Sequence, residues 1–172
     1  LSLSKLGLPG SRTAFVVAPA PIAAALSSMV AVTGLANGNL GQALTGPLMA
    51  DGQLLHLCRE EIRPYYQSKR DLALDAAHEF FPADAPWAFH ASEGALFLWL
   101  WLENSKKSSR QIYEDLKARD VIVVPGEYFF FGDDTADWPH RHECLRISFA
   151  MDEGDVRTGL KIIGQEIARA ST

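Results

Sequence analysis

The sequence predicts an α/β protein in two parts, joined by a long bent helix. Three observations carry that prediction. Apolar runs of strand length, at 95–102, 121–124 and 144–149, alternate with segments whose apolar residues recur at helical spacing. From Leu54 through Leu55, Cys58, Ile62, Tyr65, Tyr66, Leu72 and Ala76 to Phe80, one apolar face persists at helical spacing. Pro64 interrupts that face, removes a backbone donor and predicts a kink.

The 172 residues suffice for one domain with a real core or for two small ones, and 48% hydrophobic with 22% charged residues is an ordinary folded composition. A net charge of −5 argues against nucleic acid as the main partner. Two cysteines make no disulfide framework, which points to a reducing cytoplasm. No basic segment precedes an apolar run in the manner of a secretion signal. The apolar stretch 22–35 is broken by Ser27, Ser28 and Thr33 and is too short to span a bilayer.

In chain order, the alternating leucines and serines of 1–4 predict a short strand with Lys5 at its end. A Gly-Leu-Pro-Gly turn follows, then the β-branched, apolar run 13–18, which predicts a buried strand. Pro19 and Pro21 end it, and 22–32 predicts a helix with little exposure. Turn formers cluster at 33–40, and 40–50 is a second short helix that Gly46-Pro47 would bend. Asp51 is placed to cap the long helix.

Beyond that helix, strands are expected around Trp87 to His90, at 95–102 and at 121–124. Ser108 or Ser109 would cap an intervening helix carrying Ile112 and Leu116. Phe129, Phe130 and Phe131 read as core, the alternative being one ring lining a pocket, and 133–139 reads as a mobile loop. Asp152 would cap a last helix with Val156, Leu160, Ile163 and Ile167 as its buried stripe.

The chemistry concentrates at two places. In Leu-Ser-Leu-Ser-Lys-Leu-Gly-Leu-Pro-Gly-Ser-Arg (1–12), a tight turn separates Lys5 from Arg12, so both can face one compact anion. A lysine amine condenses with an aldehyde, and arginine supplies a fork of fixed charge for a phosphate. The hydroxyl of Ser2 and the turn N–H groups can donate to the same oxygens. Read alone, the pair could equally be solvated charges on a surface turn. The second place is Cys-Leu-Arg-Ile-Ser-Phe (144–149), where an arginine inside an apolar strand needs an anion. That anion is either a structural carboxylate or the α-carboxylate of a bound amino acid. His140, His142 and Cys144 alternate and would share a face with Arg146; a zinc site is disfavoured, since no fourth ligand is evident and Arg146 would repel the cation.

The 1–12 string resembles the cofactor-lysine signature of class I/II aminotransferases, the fold-type I enzymes dependent on pyridoxal 5'-phosphate; in many relatives the arginine lies one position further on. The resemblance implies that Lys5 forms the Schiff base, that Ser2 and Arg12 hold the phosphate and that Arg146 binds the substrate carboxylate. It implies residues 1–55 as the C-terminal end of a large cofactor-binding domain and 56–172 as a small α/β domain. It further implies a homodimer, with 37–41 near the neighbouring subunit, and transfer of an amino group from valine or alanine to a 2-oxo acid. More than half of the family chain precedes this lysine, so the chain is expected to be the C-terminal part of a longer enzyme. A lyase or decarboxylase with the same lysine, an aminotransferase-like effector domain of a transcription regulator, and an inactive fragment are the alternatives.

Overall fold

The computed structural model describes residues 2–35, 38–132, 135 and 137–171. The chain divides into two compact units, 1–65 and 66–172.

The first unit begins with a 3-10 turn, Leu3–Leu6, that contains Lys5, where the alternation had predicted a strand. Ser2 caps this turn, its Oγ accepting from the Ser4 N–H at 3.2 Å, and Gly7 closes it in the left-handed region at φ 84°, donating its N–H to the Leu3 carbonyl. Four residues of Leu/Ser alternation are outweighed by a serine cap and a glycine stop. The expected strand 13–18 shrinks to one bridge between Ser2 and Ala14, and Val16 and Val17 are exposed rather than buried.

Helix α1 (Ala20–Gly34) starts with proline in its first turn, as expected, yet none of its residues is buried. Its alanines and serines sustain a helix, while its apolar residues surround the axis rather than forming a stripe. Helix α2 (Leu40–Ala50) contains Pro47. Asp51 ends α2 instead of capping the long helix; Gly52 takes the capping place before α3 (Gln53–Leu57).

The long bent helix is a relay of α3, a π-turn at Cys58–Ile62 and α4 (Arg63–Phe80). Pro64 lies just inside α4; its missing N–H leaves one i→i−4 bond unmade, and the wider i→i+5 winding directly before it accommodates the gap.

The second unit holds a four-stranded antiparallel sheet in the order β1-β2-β4-β3: β1 (Trp87–Phe89), β2 (Phe97–Leu102), β4 (Cys144–Ser148) and β3 (Val124–Pro125). Strand β2 alternates, with Leu98, Leu100 and Leu102 buried and Phe97, Trp99 and Trp101 half-buried on the other face. The buried face joins Ala73, Ala76 and Ala77 of α4, Ile112 and Leu116 of α5 (Ser109–Lys117), and Val156, Leu160, Ile163 and Ile167 of α6 (Glu153–Ser171) in one core.

Ser108 caps α5 in a reciprocal box with Gln111. The Asp152 carbonyl accepts from Val156 N–H at the start of α6. Of the run expected at 121–124, only Val124 pairs, opposite Arg146, with Pro125 beside it. Pro125 lacks an N–H, which suits the edge position of β3 and ends the ladder quickly. The phenylalanine run is not core: Phe131 is exposed at 82% and Phe129 at 37%. Of the loop expected at 133–139, Asp133, Asp134 and Ala136 lie outside the described residues, as does Asn37 of the 37–41 segment.

Candidate active site

In the first unit the backbone from Ser2 to Thr13 folds back on itself. Leu3 is fully buried and its N–H donates to the Thr13 carbonyl at 3.0 Å, while Leu8 N–H returns to the Leu3 carbonyl. Ser11 Oγ donates to the Leu8 carbonyl at 2.8 Å, closing the Pro9–Ser11 turn. Arg12 then takes left-handed backbone angles (φ 48°, ψ 36°), uncommon outside glycine, and its Nη1 donates to Ser4 Oγ at 3.4 Å. The fold therefore brings the Arg12 guanidinium to the residue preceding Lys5, and Lys5 is exposed. Ser2 Oγ accepts from Ser4, which leaves its own proton available for an anion. An exposed amine, an arginine fork and hydroxyls around one short turn fit a phosphorylated aldehyde in charge and donor chemistry.

In the second unit the outward face of the sheet carries Phe97, Trp99 and Trp101 on β2 and Cys144 and Arg146 on β4. Trp99 stands opposite Arg146, and Trp101 opposite Cys144. The Arg146 guanidinium lies over the Phe97 ring at 4.3 Å and over the Phe129 ring at 4.7 Å. Gly126 makes the second contact possible: a Cβ there would sit 2.6 Å from Cys144 Cβ and 2.7 Å from its carbonyl, so only glycine lets the Gly126–Phe129 turn lie down on β4. Nearby Glu127 is committed to Arg110 and His142. Among the described residues no carboxylate pairs with Arg146.

A family model for aminotransferases of class I and II matches residues 2–163. The chain belongs to this family. Over 170 residues it is 37% identical to valine–pyruvate aminotransferase of Escherichia coli, covering 99% of this chain and 40% of that protein. The crystal structure of a putative amino-acid aminotransferase from Psychrobacter arcticum matches with TM-score 0.89 and 43% identity, over 98% of this chain and 38% of that one. The α-aminoadipate aminotransferase of Thermus thermophilus, solved with N-(5'-phosphopyridoxyl)-L-leucine, matches with TM-score 0.78 and 25% identity, over 98% of this chain and 41% of that one. The chain thus spans about two fifths of the length of these aminotransferases.

The histidines of this aminotransferase chain do not stand on a strand, contrary to the alternation. His140 and His142 lie in a 3-10 turn, Pro139–His142, because Pro139 starts a turn that ends before β4 begins at Cys144. His140 packs among Trp101, Phe130 and Trp138 at centroid distances of 5.1, 5.8 and 5.0 Å. Its Nε2 lies 3.5 Å from Cys144 Sγ, and Glu143 approaches Nδ1 at 3.9 Å. Burial pushes the Cys144 thiol up to about 11, so this trio is packing rather than an activated nucleophile. Among the described residues no group of three His, Cys, Asp or Glu side chains is placed to hold a metal ion.

Sequence reasoning missed two further arrangements. Phe97 and Phe129 converge on Arg146 from distant positions, and only the Pro125-Gly126 pair signals the close approach. Lys107 Nζ bridges Asp115 and the buried Glu166, each at 2.6 Å, tying α5 to α6. Asp115 is an exposed-face residue of a short helix, so its partner could not be read from spacing.

Proposed function

We propose that this chain supplies the catalytic lysine and the substrate-carboxylate arginine of an aminotransferase that moves the amino group of valine or alanine to a 2-oxo acid, with pyridoxal 5'-phosphate as cofactor. The observation that carries the reading is Arg146, a half-buried cation in an apolar strand with no carboxylate of this chain paired to it among the described residues. A substrate α-carboxylate would complete it bidentately. The 37% identity with valine–pyruvate aminotransferase supports the choice of amino acids, and the phosphopyridoxyl ligand of the Thermus relative supports the cofactor.

Bound pyridoxal phosphate supplies an electrophilic carbonyl and a ring that accepts the electron pair left when the substrate loses its α-proton. Ser2 and Arg12 would hold the phosphate, Arg12 with its fork of donors and Ser2 with its hydroxyl. Lys5 Nζ would hold the cofactor at its aldehyde carbon, and the same amine would move the proton at the substrate Cα. Lys5 stands on a turn closed by its own backbone bonds, which fixes the chain on either side of it. Arg146 orients the amino acid by its carboxylate.

The whole protein is proposed to act as a homodimer in the cytoplasm. The free thiols of Cys58 and Cys144 suit that compartment, and no helix among the described residues is long and apolar enough to cross a membrane.

Borohydride trapping tests the reading. Pyridoxal phosphate is added to the purified chain, reduced, and the modified peptide located by mass spectrometry. Stoichiometric label on Lys5 is expected, and Lys5→Ala abolishes both that label and transamination by the whole enzyme. Label scattered over several lysines would remove Lys5 from the site.

A further inference from the structure

We propose that Phe97 and Phe129 are positioning residues that hold the Arg146 guanidinium in the pose that receives a carboxylate. The inference rests on the reading of Arg146 given above. The two rings reach Arg146 from opposite neighbours: Phe97 comes from β2 on one side of β4, and Phe129 from the turn that follows β3 on the other. Their centroids stand 4.3 and 4.7 Å from the guanidinium carbon. Each ring presents the negative face of its quadrupole to the cation. That attraction accounts for a half-buried arginine that has no carboxylate partner among the described residues.

The contacts also restrict the fork. An arginine loses much rotamer freedom on binding an anion, and a side chain already held between two rings has lost most of it beforehand. A phenyl ring brings no lone-pair acceptor, so neither contact takes up an N–H donor of the fork as a carboxylate would. Trp99 packs edge-on against Phe129 at 5.4 Å and buttresses the second ring. Carboxylate selectivity is therefore set by two apolar side chains as well as by the arginine they hold.

The test uses Phe97→Leu and Phe129→Leu in the whole enzyme, with alanine as amino donor. Each substitution keeps an apolar side chain and removes the ring. KM for alanine is expected to rise about tenfold in each, with kcat within about twofold, whereas Phe97→Tyr and Phe129→Tyr retain the ring and the original KM. A merely structural role would lower kcat together with substrate binding rather than raise KM alone. The Arg146 Nε–Hε NMR resonance is expected to be ring-current shifted and to move in each leucine variant, which checks that the rings contact the arginine in solution. Unchanged KM in the leucine variants, with KM raised in Arg146→Ala, would overturn the positioning role alone, whether or not the resonance moves. Unchanged KM in Arg146→Ala would overturn the reading of Arg146 beneath it.

Discussion

The two units treat their apolar residues in opposite ways. In 66–172, α4, β2, β4, α5 and α6 contribute to one core, and Leu98, Leu100, Leu145 and Phe149 are sealed from water. In 1–65, Leu3 and Leu54 are buried, while Val17 is fully exposed and Leu35 is 92% exposed. The two candidate sites inherit this difference. Arg146 stands on a sheet whose other face is a packed core; Lys5 stands on a turn held by its own backbone hydrogen bonds. Helix α1 shows that local propensity alone can write an element whose faces find no cover in the same chain.

The strongest way to break the comparison is Leu100→Ala. Leu100 is fully buried, and the cavity should cost about 3 kcal/mol of stability in the second unit. Hydrogen exchange should quicken at the β2 and β4 amides and stay unchanged at residues 3–13; equal loss in both would unite what the fold separates.

Next is Lys107→Met, expected to cost roughly 1–3 kcal/mol, because Glu166 is 1% exposed and would keep, as its cation among the described residues, Arg169 at 3.3 Å. The Lys107 hydrogen bond holds the Asp115 carboxyl below its ordinary 3.8, and Asp115 followed by Glu166 holds Lys107 above its ordinary 10.5. The depressed acid contributes stability above pH 3.8 that is lost as pH falls through its lower folded value. The raised amine contributes stability below pH 10.5 that is lost as pH rises through its higher folded value. Lys107→Met should flatten both limbs of a urea-midpoint profile against pH.

The smallest effect belongs to Val17→Ser and Val32→Ser, at 100% and 84% exposure. Stability of this chain should change by under about 0.5 kcal/mol. A loss several times larger would mean that these residues are covered in solution, and would bring the first unit closer to the second.

The sequence was legible wherever one local period decided the outcome. The apolar run of β2, the stripe of α6 and the serine cap of α5 needed no distant partner. The 121–124 run failed because a strand needs a neighbour: β4 offers one only to Val124 and Pro125. Burial of 13–18 and 22–32 failed for the same reason, since apolar composition states a demand for cover and not its supply. Lys5, Arg12, Ser2 and Arg146 were singled out by residue type and by resemblance. The contacts around them, Arg12 on Ser4 and Arg146 between two rings, arise across gaps of 8 to about 50 residues that no periodicity spans.

The tryptophans give the molecule a built-in optical division. All four, Trp87, Trp99, Trp101 and Trp138, fall in the second unit, and Trp99 stands opposite Arg146. Indole emission excited at the red edge therefore watches 66–172 alone, whereas far-ultraviolet dichroism sums the helices of both units. Melting curves from the two signals form a pair: a gap between them measures how independently the lysine-bearing turn and the arginine-bearing sheet come apart, with no label attached.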